Sequence, residues 1–333
     1  MGNKKILYFD KTTEEFKAIL LGHKPAGFDL YFWHEMGDNE RERILPEVDY
    51  LLVATHKTGD EIFSKATNAK FLQKTGIGVD HIDLSSADTY GFPVSNTPGA
   101  NATGVAELTI LMILALYRKL PLMNRTTKSG EWEMWEHRPT SFELEGKTHG
   151  LIGFGNIGRQ TAKRSHAFGA NIIYYDAFQA APEHEKALGA KFLSLEEVLI
   201  QSDIISLHIP LLPETKGLIG KQELELMKQH AILVNVARGG IVQEDALYQA
   251  LKERKIAGAG IDVWEQEPPQ VNNPLFNLEN VIATPHIGAG TRDTLNRVLK
   301  TAFQNIERVE EGQTPEFVVN NVKQPRESKV STE

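Results

Sequence analysis

The segment that decides the fold class is residues 148–176, THGLIGFGNIGRQTAKRSHAFGANIIYYD. A strand-like run at 150–152 leads into the glycine pattern GFGNIG, which is followed by a stretch with helical composition. A second strand-like run at 172–175 ends on Asp176. Glycines in this pattern are common in turns, and an ordinary strand-turn-helix would also contain them. With strand, turn, helix and acid in this order, the segment indicates a dinucleotide-binding turn.

Each position of the turn has a physical task in that interpretation. Gly153 permits the tight turn out of the strand, Gly155 lets a pyrophosphate approach the backbone, and Gly158 lets the helix pack closely on the sheet. Asn156 and Ile157 open the helix, so their N–H groups and the helix dipole would face the phosphates.

The acid at the end of the second strand indicates which dinucleotide binds. Asp176 lies 18 residues after Gly158, near the offset at which a carboxylate binds a ribose 2′-hydroxyl. The next residues, Ala177 and Phe178, provide no cation for a 2′-phosphate. We therefore expect the cofactor to be NAD and not NADP.

Composition excludes several classes of function. The chain has 333 residues, so two domains are expected. Its net charge of -8 argues against a nucleic-acid partner and against an anionic membrane surface. It contains no cysteine, which excludes disulfides, thiolate metal sites and a cysteine nucleophile. We expect no metal site and a cytoplasmic location. The longest apolar run, 108–117, is too short to span a bilayer.

Two series of alternating strand-like and helix-like segments follow one another along the chain. The first series has strands at 5–9, 50–54, 71–75 and 93–95. The second has strands at 150–152, 172–175, 204–208, 232–236, 260–263 and 281–283. Such alternation predicts parallel sheets flanked by helices. The fold class is therefore α/β, with two doubly wound parallel-sheet domains.

Two helices are expected outside those series, at 101–118 and at 291–311, where the apolar residues recur at helical spacing. After the second helix a short apolar patch, 317–319, is expected to return to the first domain. The cofactor domain is then inserted into the other one. We expect a discontinuous substrate domain, 1–100 plus 290–333, and a dinucleotide-binding domain, 101–289.

Three strands of the second series run into residues that can do chemistry. The strand at 232–236 leads to Arg238, the next contains Asp262 near its end, and the strand at 281–283 leads to His286. Ligands of doubly wound sheets bind beyond the carboxyl ends of the strands. Glu267 follows Asp262 closely and precedes two prolines, so we expect it to reach His286.

This set suits hydride transfer to a carbonyl. An imidazolium can deliver the proton, a neighbouring carboxylate favours its charged form, and a guanidinium can hold a carboxylate or a developing oxyanion. Taken singly, His286 could be a satisfied loop histidine, Arg238 a surface cation and Glu267 a solvated acid. Two glycines after Arg238 instead argue for close approach of a ligand to the backbone. His208, without an acid nearby, is expected to line the cofactor pocket.

At these residues the sequence resembles the D-isomer-specific 2-hydroxyacid dehydrogenase family, over nearly the whole chain. The motifs that carry the resemblance are GIGVDHID at 76–83, NTP at 96–98, the glycine turn at 153–158, HIPLLPET at 208–215, NVARGGIV at 235–242, GIDV at 260–263, EP at 267–268 and TPHIG at 284–288. The resemblance implies a flavodoxin-like substrate domain and a Rossmann NAD-binding domain with a cleft between them. It also implies an NAD-dependent reaction that interconverts a small 2-oxo acid and its D-2-hydroxy acid.

The resemblance also assigns roles by position. Arg238 would bind substrate, His286 would be the acid-base and Glu267 its partner, while the backbone amides of Ile77 and Gly78 would hold the substrate carboxylate. The residues placed beside the cofactor, in addition to those of the turn and Asp176, are Thr103, His208, Pro210, Thr215, Val236, Ala237, Asp262 and Gly288.

Relatives of this kind are commonly dimers that pair through the cofactor domain, and we expect a homodimer. In the glyoxylate and hydroxypyruvate reductase branch a tryptophan of the partner subunit reaches the active site. Trp135 is the matching position in this sequence. Alternatively, Trp132 and Trp135 serve only to anchor the dimer. No basic cluster for a phosphate is evident in the first domain, which favours glyoxylate or hydroxypyruvate. The alternatives are a short D-3-phosphoglycerate dehydrogenase and a non-catalytic NAD-sensing protein on the same scaffold.

Overall fold

The computed structural model describes residues 2–327. The chain forms two compact units. One comprises the described residues up to 101 together with those from 292 onward, and the other is Ala102–Thr291. The predicted boundaries, at 100/101 and 289/290, lie close to these.

The first unit is a five-stranded parallel sheet covered by helices on both faces. Its strands are β1 (Lys4–Tyr8), β2 (Phe28–Phe32), β3 (Tyr50–Val53), β4 (Phe71–Lys74) and β5 (Val94–Ser95). Its helices are α1 (Glu14–His23), α2 (Asp38–Ile44), α3 (Asp60–Phe63), α4 (Leu84–Thr89) and α12 (Arg292–Glu310). The strand order is β2-β1-β3-β4-β5, the flavodoxin-like order.

Both faces of this first sheet are buried. Successive residues of β1 alternate between the two cores: Ile6 packs with Phe303 of α12, and Leu7 packs with Phe63 of α3. Because neither face meets water, residues 6–8 of β1 and all of β3 are continuous apolar runs and not alternating ones.

The end of the chain is joined to the first sheet by buried side-chain amides. Asn305 of α12 donates from Nδ2 to Gln73 Oε1 of β4 at 2.8 Å. The Oδ1 atom of Asn320 accepts from the Val94 amide at 2.9 Å, and Ser95 forms an antiparallel bridge with Val318. The predicted return of 317–319 to the first domain is thus confirmed.

The second unit is a seven-stranded parallel sheet with helices. Its strands are β6 (Thr148–Ile152), β7 (Asn171–Tyr175), β8 (Lys191–Phe192), β9 (Ile204–Leu207), β10 (Ile232–Asn235), β11 (Gly258–Ile261) and β12 (Val281–Ala283). Its helices are α5 (Ala102–Tyr117), α6 (Leu120–Ser129), α7 (Asn156–Ala167), α8 (Pro182–Leu188), α9 (Leu195–Gln201), α10 (Lys221–Leu226) and α11 (Glu244–Lys252). The order is β12-β11-β10-β9-β6-β7-β8.

This order positions the glycine turn. The chain moves outward from β6 to β7 and β8, then crosses back to place β9 on the other side of β6. The point between β6 and β9 is therefore the topological switch, where doubly wound sheets bind their ligands. The turn after β6 and the residues after β9 both lie there.

Two short edge strands escaped the sequence analysis. The edge strand β2, FDLYF, is interrupted by the exposed Asp29, and only its two end residues are buried. The other, β8, consists of Lys191 and Phe192, both exposed. The two-domain α/β fold and all ten strands expected from the sequence are confirmed, with ends that shift by one or two residues. No helix among the described residues has the length and apolarity to cross a membrane.

Candidate active site

Two glycines of the turn are required by the protein's own packing. Gly153 has φ +100°, and a Cβ there would lie 2.7 Å from the carbonyl oxygen of His208. At Gly158 a Cβ would lie 2.1 Å from the carbonyl oxygen of Gly153. Both distances are far shorter than van der Waals contact, so β6, α7 and the segment after β9 can meet only around glycine.

Gly155 differs, because nothing in the protein requires it. Its φ of −71° suits any residue, and a Cβ there would have no atom within 4 Å. The backbone N–H groups of Asn156, Ile157 and Gly158 donate to no group among residues 2–327. The N-terminus of α7 therefore has unpaired N–H donors, and the space next to Gly155 is empty. This combination fits the pyrophosphate of a dinucleotide.

Asp176 stands at the end of β7 with its carboxylate directed to the turn. One oxygen accepts from the Phe154 amide and the other from the Ala177 amide, both at 2.7 Å. Each oxygen keeps a lone pair for a ribose hydroxyl. Arg159, which the sequence analysis missed, also shapes the turn by donating to the Phe154 carbonyl and to Asn156 Oδ1, both at 2.9 Å. In the sequence, the position of Arg159 directly after the last glycine of the turn could have identified it as part of the turn.

The loop after β9 carries three of the predicted cofactor residues. The His208 amide donates to the Ile152 carbonyl at 2.7 Å, which ties the loop to β6. Thr215 donates its hydroxyl to the Pro210 carbonyl at 2.7 Å and accepts from the Leu212 amide at 2.7 Å. The Thr215 hydroxyl therefore closes the loop, and its oxygen keeps one further acceptor position.

The loop that carries Arg238 is closed by the last residue of β10. Asn235 accepts from the Ala237 amide at 3.1 Å and donates to the Arg238 carbonyl at 3.0 Å. Val236 and Ala237 are buried, while Arg238 is half-buried and donates to the Ala237 carbonyl at 2.7 Å. Arg238 thus lies in a hydrogen-bonded turn beyond the carboxyl end of β10.

Gly239, the glycine directly after Arg238, is required by the protein's own packing. A Cβ at Gly239 would lie 1.7 Å from the carbonyl oxygen of Trp264, so the glycine allows the two loops to pack together. Trp264 in turn donates from its amide to Glu267 Oε1 and from its indole to the Thr284 carbonyl, both at 3.1 Å. Trp264 therefore links the loops that carry the three predicted catalytic residues.

His286 and Glu267 meet as predicted. Glu267 Oε2 lies 2.8 Å from His286 Nδ1, and both side chains are exposed. His286 has a left-handed φ of 54°, which is uncommon outside glycine and occurs often at functional sites. Its Nε2 makes no hydrogen bond within the described chain. One ring nitrogen is thus held by a carboxylate, and the other is available for proton transfer.

Asp262 is bonded to the loop that carries His286. Its carboxylate is 1% exposed and accepts from the Thr284 hydroxyl at 2.5 Å and from the amides of Ile287 and Gly288 at 2.8 Å. Its carbonyl accepts from the His286 amide at 2.8 Å. Asp262 therefore holds the His286 loop in place. A Cβ on Gly288 would lie 3.2 Å from the Asp262 carboxylate, so that glycine belongs to the same arrangement.

Thr103, the remaining predicted cofactor residue, is half-buried in the first turn of α5. Trp135 lies in an exposed loop, where the Arg138 guanidinium stacks 3.9 Å from its ring centre. Its expected contribution to a partner's site stays a prediction. The described residues contain no group of three or more acidic or histidine side chains able to hold a metal ion.

In the first unit, Ile77 and Gly78 follow β4 at the carboxyl edge of the sheet. The Ile77 carbonyl accepts from Asn96 Nδ2 at 2.9 Å, but the amides of both residues donate to no group in residues 2–327. Open backbone donors of this kind can hold a carboxylate.

A cavity of about 580 Å³ lies nearby along 56–62 and 80–83, and none of the predicted site residues lines it.

Comparison with curated proteins gives close relatives. The chain is 40% identical over 317 residues to D-3-phosphoglycerate dehydrogenase of Archaeoglobus fulgidus, covering 95% of this chain and 59% of that protein. It is 41% identical to glyoxylate reductase of Thermococcus litoralis (82% and 84% covered) and 44% identical to hydroxypyruvate reductase of Thermotoga maritima (78% and 84%). The chain thus spans 59% and 54% of two phosphoglycerate dehydrogenases among its relatives.

Solved structures share the fold over nearly the whole chain. The TT0316 protein of Thermus thermophilus superimposes with a TM-score of 0.83 at 33% identity, covering 95% of this chain and 99% of that one. D-lactate dehydrogenase of Lactobacillus jensenii, solved with NAD+, gives a TM-score of 0.82 at 29% identity, covering 95% and 100%.

The family model named "D-isomer specific 2-hydroxyacid dehydrogenase, NAD binding domain" matches residues 110–288, the part of the chain that contains the glycine turn, Asp176, Arg238, Glu267 and His286. NAD is therefore the cofactor, and the open amides and free space at Gly155 fit it. The chain belongs to the D-isomer-specific 2-hydroxyacid dehydrogenase family.

Proposed function

We propose that this protein is an NAD-dependent oxidoreductase that interconverts a small 2-oxo acid and its D-2-hydroxy acid. The observation that carries the proposal is the Glu267–His286 pair, 2.8 Å apart at the carboxyl edge of the sheet that contains the glycine turn. A glyoxylate or hydroxypyruvate type of substrate is favoured, because the relatives with those names are covered over 84% of their length.

When bound, NAD supplies the hydride, and the protein provides orientation, charge and the proton. In the proposed reaction His286 donates a proton from Nε2 to the carbonyl oxygen of the substrate. Glu267, at Nδ1, holds the ring orientation and stabilises its charged form. In the oxidising direction the same nitrogen accepts the proton of the hydroxyl group.

The substrate is held by a cation and by backbone donors. Arg238 is proposed to bind the carboxylate or the carbonyl oxygen, where its charge stabilises the negative charge that develops. The open amides of Ile77 and Gly78 are proposed to bind the substrate carboxylate. The sequence of the first unit shows no evident cluster of basic residues for a phosphate at the far end of the substrate, which favours small acids.

Around the cofactor we propose that the amides of Asn156 and Ile157 face the pyrophosphate and that Asp176 binds the adenosine ribose. The segments that contain Thr103, His208, Pro210, Val236 and Ala237 are proposed to line the same site. Asp262 is proposed to act mainly by positioning His286, since its carboxylate already accepts three hydrogen bonds.

The first prediction tests the reaction. With NADH and a panel of glyoxylate, hydroxypyruvate, pyruvate and 3-phosphohydroxypyruvate, we expect oxidation at the nicotinamide absorbance, fastest with one of the first two. His286→Ala should lower kcat/KM about 100- to 10,000-fold, the range for loss of a general acid, while NADH affinity changes little. The exposed His184→Ala is the matched control and should keep wild-type rates.

Two outcomes of that panel would contradict the proposal. If NADH binds tightly but is oxidised with none of the acids, a non-catalytic NAD sensor is favoured. Preference for 3-phosphohydroxypyruvate would favour a short D-3-phosphoglycerate dehydrogenase. Unchanged turnover of the His286 variant would reject this residue as the acid.

The second prediction separates packing glycines from the ligand glycine. Gly155→Ala should unfold at the wild-type temperature, because its Cβ meets nothing, yet bind NADH at least tenfold more weakly. Gly158→Ala should lower the unfolding temperature, because its Cβ lies 2.1 Å from the Gly153 carbonyl. Calorimetry and NADH fluorescence titration measure the two effects. Wild-type NADH affinity of the Gly155 variant would rule out close approach of a phosphate.

The third prediction concerns cofactor choice. The wild-type protein should use NADH much better than NADPH, because the Asp176 carboxylate would repel a 2′-phosphate. Asp176→Asn removes the charge and keeps an acceptor for the Phe154 amide, so the ratio of kcat/KM for the two cofactors should fall about tenfold or more. Equal use of both cofactors by the wild-type protein would show that Asp176 does not set the preference.

We further propose that the protein is a homodimer that pairs through the NAD-binding unit. Five large apolar side chains of that unit are between 49% and 77% exposed, namely Leu111, Leu120, Trp132, Met134 and Trp135. They belong to α5, α6 and the loop that follows, so they are neighbours along the chain. A cytoplasmic location stays a prediction.

The fourth prediction tests this pairing. Light scattering should give twice the 37.2 kDa chain mass, and Leu120→Glu should shift the protein toward the monomer by placing a charge in an apolar interface. Val271→Glu, at a side chain 98% exposed elsewhere, is the control and should remain dimeric. A monomeric wild-type protein at micromolar concentration would refute the proposal.

A further inference from the structure

A chain of four polar side chains, three of them buried and His208 half-buried, runs from the interior to the edge of the glycine turn. His149 of β6 lies with Nδ1 2.9 Å from Ser165 Oγ and with Nε2 2.8 Å from Ser206 Oγ. Ser206 Oγ is also 2.8 Å from His208 Nε2. His149, Ser165 and Ser206 are completely buried. The catalytic machinery proposed above uses none of these three residues.

The direction of the hydrogen bonds follows from counting protons. Burial lowers the pKa of both His149 and His208 to about 3, so each ring is neutral near pH 7 and carries one N–H. Within the described chain the Ser165 hydroxyl has a single partner, His149 Nδ1. Its proton can be satisfied only if it donates to that nitrogen, and the His149 proton is then on Nε2.

The rest of the chain is then determined. His149 Nε2–H donates to Ser206, so the Ser206 hydroxyl donates to His208 Nε2, and the His208 proton is on Nδ1. The reverse direction leaves two groups without a partner, the Ser165 hydroxyl proton and His208 Nδ1. The forward direction leaves only one, the N–H at His208 Nδ1. Buried polar groups are rarely left unpaired, so the forward direction is preferred.

His208 Nδ1 is the end of this chain of side chains, and the Cβ and carbonyl group of His208 lie beside the cofactor turn. The atom is buried and has no hydrogen-bond partner among the described residues. A Cβ on Gly158 would lie 3.7 Å from the His208 Cβ, and one on Gly153 would lie 2.7 Å from the His208 carbonyl. A buried N–H without an acceptor, next to a turn with open backbone donors, indicates a ligand with acceptor oxygens.

We propose that His149 is a positioning residue for NAD, which acts through Ser206 to keep His208 in the Nδ1–H tautomer, so that His208 donates a hydrogen bond to an oxygen of the dinucleotide at the Gly153–Gly158 turn. The inference rests on NAD binding at this turn but not on the proposed hydride transfer. His149 touches no ligand itself. The N–H donor at Nδ1 is what distinguishes His208 from a histidine that only fills the core.

The test is the protonation of His208 together with cofactor affinity. Nitrogen-15 NMR of the histidine rings, assigned with His208→Gln, should show the His208 proton on Nδ1 in the wild-type protein, and NADH should shift that resonance. His149→Leu, which keeps the volume and removes both ring nitrogens, should give a mixture of His208 tautomers. Its dissociation constant for NADH should rise about tenfold, as for loss of one hydrogen bond, with kcat at saturating NADH nearly unchanged.

Ser206→Ala provides a second variant that keeps His149 and breaks only the connection, so the inference stays testable if His149→Leu does not fold. It should show the same two effects. His166→Leu, an exposed histidine on α7, is the matched control and should leave both readouts unchanged. A His208 proton on Nε2 in the wild-type protein would overturn the proposal. So would NADH affinities of both variants within twofold of wild type. If NADH does not bind the wild-type protein at all, NAD binding itself fails, which is a different result.

Discussion

The candidate active site depends on one buried charge. The Asp262 carboxylate is almost inaccessible to water, and a buried carboxylate is costly unless donors surround it. Its three donors come from Thr284, Ile287 and Gly288, and each charge-assisted bond of this kind contributes about 1.5–3 kcal/mol. Satisfying this charge holds the loop of His286, so that Nδ1 of the imidazole meets Glu267.

The glycines of the chain belong to two physical classes. At Gly153, Gly158 and Gly239 a side chain would collide with backbone atoms of another segment, and these positions allow strands, helices and loops to come together. At Gly155 a side chain would collide with nothing. The three glycines of the turn are therefore not equivalent. Gly153 and Gly158 are required by packing within the protein, whereas the absence of a side chain at Gly155 is explained only by a ligand.

Much of the fold and of the site could be predicted because the relevant signals are local. The strands of the second sheet are apolar runs, and Arg238 and His286 directly follow two of them. The edge strands β2 and β8 were missed because each contains an exposed polar residue, Asp29 and Lys191, which interrupts the strand pattern. Contacts between distant residues were also missed: Gly239 is required by the close approach of the Trp264 carbonyl, a contact that local spacing does not show.

The sequence by itself determined the α/β class, the dinucleotide turn, the choice of NAD and the identity of the proposed acid, its carboxylate and the cation, because each depends on residue type and on spacing along the chain. The tertiary structure decided what each polar group bonds to. It showed that Asp262 bonds the loop beyond β12 and that His149 of β6 bonds Ser206 of β9, 57 residues away. The reason is that strands adjacent in a parallel sheet are separated by a crossover, so their side-chain partners cannot be read from local spacing.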